Sequence, residues 1–168
     1  MIRKVRVQRK TLLVIGEGDT EVAFLKYLRS LYCSKGQGTE VTIVNAHGKS
    51  PQNVVDCAIK HIGAASYDKK ICLLDTDVSW PLAVTNKAKR NKIIMLGAVP
   101  CIEGLFLDIL ANTIPTNTDE CKSKIAGIYN SSLTDSRNYS RIFDKNTLDQ
   151  ARQRIPLLNE LLKYYEAN

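Results

Sequence analysis

Six acidic side chains fall where apolar runs of the chain end or where the helices after them begin: Glu17, Asp19, Glu21, Asp75, Asp77 and Glu103. Carboxylates gathered at one place do a narrow set of jobs: they ligate hard cations or they pass protons. Asp75 and Asp77 stand two apart, just past the apolar run Lys70-Ile71-Cys72-Leu73-Leu74. Two unit charges ~5 Å apart repel by about 3 kcal/mol at an effective dielectric near 20. If Glu17, Asp75 and Asp77 meet, they raise one another's pKa or take up a cation. Mg2+, or Mn2+ in its place, suits such a site, because it takes oxygen ligands and is commonly held by one or two carboxylates plus a substrate phosphate. An ion so held polarises a phosphoryl oxygen and activates water. Asp19 and Glu21 also suit the first turn of a helix, where negative charge meets the positive end of the dipole. Glu103 suits a helix start after Pro100.

The rest of the charge points to phosphate. Lys and Arg number 24 against 17 Asp and Glu, a net charge of +7. Such an excess favours polyanionic partners, nucleic acid among them, although it says nothing of the fold. Lys87, Lys89 and Arg90, with Lys92 close behind, follow the Asp75-Thr76-Asp77 loop and are expected to hold a phosphate backbone. Lys49 is expected to touch phosphate from a Gly48-Lys49-Ser50 loop. That triplet resembles the end of a P-loop, but the motif needs a glycine where Ile43 stands, so a nucleoside-triphosphate site is excluded. Tyr129 and Tyr139, in a polar stretch, could stack bases.

Other chemistries find less support. Cys33, Cys57, Cys72, Cys101 and Cys121 include no C-x-x-C pair, and His47 and His61 are the only histidines, which disfavours zinc. Reduced cysteines in apolar surroundings are the expected state. No G-x-S-x-G occurs, and no cysteine has an obvious histidine partner. His47 could act as a base from the end of the second apolar run, but it has no evident partner.

The elements that must position the acids are plain in the pattern. Thr11–Ile15, Val41–Val44, Lys70–Leu74 and Lys92–Leu96 are short apolar runs of the kind buried on both faces of a parallel sheet. Between them lie amphipathic segments over Glu21–Tyr32, from Pro51 with Ser50 as N-cap, and over Pro81–Arg90. This alternation predicts an α/β fold with a mainly parallel sheet of about four strands flanked by helices. Ligands of such sheets bind outside the carboxyl ends of the strands, where the acids are. A helix follows Glu103, and a polar loop holds Pro115. From Thr147 apolar residues recur at three and four, with Pro156 expected to split that helix. The last pattern also fits a homodimer seam. The 168 residues, 44% hydrophobic and 24% charged, suit one domain, with a core over about 11–110 and a helical extension over about 117–166. No apolar run approaches the ~20 residues of a membrane helix and no signal-peptide stretch opens the chain, so a cytoplasmic protein without a membrane partner is expected.

Gly16-Glu17-Gly18-Asp19-Thr20-Glu21 followed by Phe24-Leu25 resembles the E-G-x-T-E-x-x-[FY] opening of the RloB-like (AbiLii-like) branch of the TOPRIM superfamily. Gly48-Lys49-Ser50-Pro51 after the second run, Asp75-Thr76-Asp77 after the third and Pro100-Cys101-Ile102-Glu103 after the fourth continue that likeness in order over about residues 11–110. The resemblance implies a TOPRIM-like, Rossmann-like fold and Mg2+-dependent hydrolysis of nucleic-acid phosphodiester bonds. It implies Glu17 as acid/base or metal ligand, and Asp75 and Asp77 as metal ligands. Glu21 and Glu103 would be supporting ligands. It also implies a setting in bacterial anti-phage defence or nucleic-acid processing, often beside an ATPase partner. Two alternatives stand next to it. Asp75-Thr76-Asp77-Val78-Ser79 resembles the nucleophile motif of haloacid-dehalogenase-like phosphatases, with Asp75 attacking phosphorus. The chain could also be a non-catalytic partner of an ATPase.

Overall fold

The computed structural model describes residues 9–33, 38–48 and 50–166; the expectation for Lys49 lies outside the described residues. Four strands, β1 (Thr11–Gly16), β2 (Glu40–Asn45), β3 (Lys69–Asp75) and β4 (Ile94–Ala98), form one sheet in the order β2-β1-β3-β4, and every pairing is parallel. Three helices alternate with them: α1 (Asp19–Tyr32), α2 (Pro51–Ile62) and α3 (Leu82–Arg90). The expected α/β, Rossmann-like architecture is what the chain adopts.

The apolar runs of β1 and β3 are continuous because these two central strands are covered twice. Leu12 and Val14 of β1, with Ile71 and Leu73 of β3, face a core shared with α1; Leu13 and Ile15, with Cys72 and Leu74, face a second core under α2 and α3. All eight are fully buried. Successive strand residues point to opposite faces, so a doubly covered strand has no polar position to spare. At the end of β1, a methyl group on Gly16 would lie 2.9 Å from Val22 Cγ2; hydrogen there lets α1 start close against the strand. Ser50 caps α2 by accepting from the Asn53 amide, and Pro51 occupies the first turn.

After β4 come α4 (Ile102–Ile109), α5 (Thr118–Ile128), a 3₁₀ turn at Ser136–Arg141, α6 (Lys145–Ala151) and α7 (Pro156–Glu166). Pro156 does separate two helices. Leu148, Leu158, Leu161, Leu162 and Tyr165 all join the α1-side core, so the C-terminal helices close one face of the sheet. Tyr139 corrects an expectation. It is not a surface platform for bases: it is 0% exposed and packs with Phe24, Tyr27, Phe106 and Phe143. Its hydroxyl donates to the Leu133 carbonyl at 2.8 Å, with the Thr20 carbonyl a longer 3.3 Å away. Among the described residues no helix is long and apolar enough to cross a membrane.

Candidate functional site

The strand order places a switch point between β1 and β3. From β1 the chain moves outward to β2; from β3 it moves outward the other way to β4. The loops at the carboxyl ends of β1 and β3 therefore diverge and leave a crevice, the usual ligand site of open α/β sheets. Glu17 follows β1 and Asp75 ends β3, so these two acids flank that crevice.

The side chains are set by backbone amides. Glu17 Oε2 accepts from the Asp75 amide at 2.9 Å, a bond across the switch point. The Glu17 amide in turn donates to the Leu73 carbonyl. Asp75 Oδ1 accepts from the Ile102 amide at 2.9 Å, at the first turn of α4. Glu21 Oε2 reaches back to the Gly18 amide at 2.9 Å and closes the first turn of α1. Two helix N-termini thus open on the crevice, each favouring negative charge. A methyl group on Gly104 would lie 2.5 Å from the Val99 carbonyl oxygen, so only glycine lets the start of α4 seat against the loop that follows β4.

Four carboxylates share this space: Glu17, Glu21, Asp75 and Glu103. Burial, then Glu21, Glu17 and Glu103, push the Asp75 carboxyl up to about 8; the Ile102 amide opposes the rise. Burial is also the chief reason that the Glu21 carboxyl is raised, with Glu103 and Glu17 adding to it. Glu21 is 5% and Glu103 6% exposed, and Glu103 Oε2 is buried without a hydrogen-bond partner. Cys101, also buried, lies beside Glu103; burial, with Glu103 and Asp75 close by, pushes its thiol up to about 12. Among the described residues none of the four acids forms an ion pair with lysine or arginine.

The other expected residues lie elsewhere. Asp77 is exposed, and its Oδ2 accepts from the Thr118 hydroxyl at 2.8 Å, at the first turn of α5. It borders an open cleft of about 760 Å3 lined by Thr76, Pro100, Thr118 and Lys122. Thr118 and Lys122 were missed; the Asn117 cap with Asp119 and Glu120 behind it was the signal that a helix starts there. Asp19 accepts from the Asn45 side chain at 2.7 Å, on the β2 side of the crevice. His47 is exposed with a positive φ of 58°, its amide held by the Asn45 side chain. The basic cluster is not beside the acids. Because β3 and β4 are parallel, α3 must run back toward the amino edge of the sheet, and Lys89 and Arg90 in its last turn are carried to that opposite edge. Lys87 pairs with Asp56 of α2 at 2.7 Å.

The donor set suits a hard divalent cation: carboxylate oxygens alone, in mutual repulsion, one of them buried without a partner. Glu17, Asp75 and Glu21 accept from backbone amides, and among the described residues no three His, Cys, Asp or Glu side chains are grouped as metal ligands. Comparison with family models, with curated proteins and with solved structures found no match.

Proposed function

We propose that this protein is a Mg2+- or Mn2+-dependent phosphodiester hydrolase of TOPRIM type, acting on nucleic acid in the cytoplasm, in anti-phage defence or nucleic-acid processing. One observation carries the reading: at the switch point Glu21, Glu17 and Glu103 all help to raise the Asp75 carboxyl, none of the four forms an ion pair among the described residues, and the buried Oε2 of Glu103 has nothing to bond. Repelling carboxylates must either keep protons or take up a cation. The ordered motifs around Glu17, Asp75 and Glu103 support the TOPRIM assignment in particular.

In this reading Asp75 and Glu103 hold the ion, with Glu21 behind them, and Asp77 joins from the rim on giving up Thr118. The bound cation would polarise the phosphoryl oxygen and lower the pKa of an attacking water. Glu17, fixed by the Asp75 amide, stands at the mouth as the group to take a proton from that water or return it to the leaving oxygen. The N-terminus of α4 orients Asp75 through the Ile102 amide and keeps its carboxylate from swinging away.

A covalent phosphatase mechanism is less well supported. It needs an ionised Asp75 with Asp77 beside it as acid/base. Here Asp77 is exposed and turns to Thr118.

The test incubates the full chain with end-labelled single- and double-stranded DNA and RNA, with Mg2+ or Mn2+ and with chelator. Cleavage should need the divalent ion and disappear in Asp75→Asn, while circular dichroism stays that of the wild type. Cleavage that survives chelation or survives Asp75→Asn would end the proposal, as would failure to cut any of the four substrates with either ion.

A further inference from the structure

The chain has one tryptophan, Trp80, and it follows Asp75 closely. Its indole Nε1 donates to the Asp75 carbonyl at 3.0 Å. Three hydrogen bonds thus meet on a single residue. The Asp75 amide donates to Glu17 Oε2, Oδ1 accepts from the Ile102 amide, and the carbonyl accepts from Trp80. The peptide that follows is pinned at its other end as well, since the Thr76 amide donates to the Ala98 and Pro100 carbonyls. The backbone on both sides of the Asp75 side chain is fixed, Oδ1 is taken up by Ile102, and Oδ2 is the oxygen left for a ligand.

The indole has its own seat. β4 is an edge strand, and its Gly97 pairs with Leu74, the residue before Asp75. A methyl group on Gly97 would lie 2.9 Å from Trp80 Cη2, 3.0 Å from Trp80 Cζ2 and 2.5 Å from Thr76 Cγ2. Gly97 has no positive φ that would call for glycine; the close approach of the ring and of the Thr76 methyl does. The ring, half-buried, packs against the core under α2 and α3. The indole therefore does two separable things. Its benzo ring covers Gly97, and its N–H reaches the backbone of an acid at the switch point. A buried indole N–H takes an acceptor in any case; what sets this one apart is that the carbonyl belongs to Asp75.

We propose that Trp80 is a positioning residue for the divalent ion: it touches neither ion nor substrate and acts by fixing the residue that presents the Asp75 carboxylate. This rests on the hydrolase reading. Groups that hold a ligating carboxylate in place raise the affinity for the ion, because less freedom is lost when the ion binds. Coupling of this kind is reciprocal. An ion at the carboxylate alters the field on the Asp75 carbonyl, and so on the indole that bonds it. The single tryptophan is then a reporter of the site it supports.

Mg2+ is titrated into the full chain while tryptophan emission, melting temperature and cleavage of the labelled nucleic acids are recorded over the same range. Emission should change saturably in the wild type and stay still in Asp75→Asn. Trp80→Phe keeps a ring over Gly97 and lacks the donor. Its Mg2+ half-point, read both from cleavage and from the rise in melting temperature, should increase about three- to tenfold, the scale of one neutral hydrogen bond. Its cleavage rate at saturating Mg2+ should match the wild type, because the indole meets no reacting atom. A packing role alone would lower the melting temperature of Trp80→Phe and leave the half-point where it is. Emission unmoved over the range in which Mg2+ switches on cleavage, or an unchanged half-point in Trp80→Phe, would overturn the role of Trp80 and leave the hydrolase reading standing. A wild type that neither cleaves nor changes its emission or melting temperature with Mg2+ would end both. Emission is read on the wild type and on Asp75→Asn, so it decides even where Trp80→Phe does not fold.

Discussion

The Glu17 carboxylate accepts a hydrogen bond from the Asp75 backbone amide at 2.9 Å, joining the ends of two strands that the sequence separates by more than fifty residues. The bond spans the crevice where the sheet's winding reverses, so it ties function to fold. Glu17→Ala leaves the Asp75 amide short of an acceptor and should cost about 1–3 kcal/mol, the penalty of a buried donor left unpaired. Glu17→Gln keeps a carbonyl oxygen at that position and should recover most of the loss. Urea midpoints of the two variants check this. Equal midpoints for Ala and Gln would show that the bond contributes nothing.

Stability should fall as pH rises through the range set by Asp75. Its carboxyl has an ordinary value of 3.8 and a folded value of about 8. Below pH 4 both states are protonated, and the site costs nothing. Between about pH 4 and 8 the unfolded chain ionises while the folded site holds its proton, so folding loses free energy steadily. The raised Glu21 carboxyl acts in the same direction. Asp56, Asp68 and Asp144 are held below their ordinary range by hydrogen bonds, so what they contribute is lost below about pH 4, outside this window. In chelator, the melting temperature should drop from pH 5 to pH 8, and Asp75→Asn should flatten the slope. Added Mg2+ at pH 8 should restore stability in the wild type only. A wild-type curve that is flat and unmoved by Mg2+ would contradict the coupling of these acids.

Asp75 and Asp77 share a motif but not an environment. Asp75 is half-buried among three other carboxylates, whereas Asp77 is exposed and faces Thr118. Asp75→Asn should abolish the rise in melting temperature that a saturating divalent ion gives. Asp77→Asn should retain at least about half of it, because an exposed charge at the rim contributes little. Melting curves with and without Mn2+ decide the matter, and an equal loss in both variants would place Asp77 among the primary ligands.

The sheet was legible because its two central strands are covered on both sides, which forces unbroken runs such as Leu12–Ile15 and Ile71–Leu74. The acids near the crevice were legible because apolar runs stop at it. Side-chain direction was not. Nothing in Asp75-Thr76-Asp77 tells that one aspartate turns to Ile102 and the other to Thr118, since both partners come from later elements. The basic cluster was misplaced for a different reason. Lys89 and Arg90 follow the Asp75 loop closely in sequence, yet a helix joining parallel strands must end at the far edge. The four-strand order, and the hydrogen bonds from Thr39 to the Tyr164 and Tyr165 carbonyls of α7, depend on tertiary packing, which no local pattern encodes.

Tyr139 gives the clearest measure of how local composition can mislead. Its neighbours are serine, asparagine and arginine, but its ring lies in the aromatic core, 5.5 Å from Phe106 and 5.8 Å from Tyr27 between centroids. Burial holds its hydroxyl well above the usual tyrosine range, with Glu21 and Glu103 adding to the rise. The hydroxyl donates to the Leu133 carbonyl at 2.8 Å, and the Thr20 carbonyl at the start of α1 lies 3.3 Å away. Tyr139→Phe removes that donor from a buried place and should cost about 1 kcal/mol. Tyr139→Ala empties the pocket and should cost about 3–5 kcal/mol, as large-to-small core changes do. Neither loss should come with weaker nucleic-acid binding by the molecules that remain folded, because the ring never meets solvent. Denaturant titrations give the two costs, and an oligonucleotide titration of Tyr139→Phe gives the second readout. A stability close to wild type in Tyr139→Ala would show that the aromatic cluster does not hold the C-terminal segment to α1.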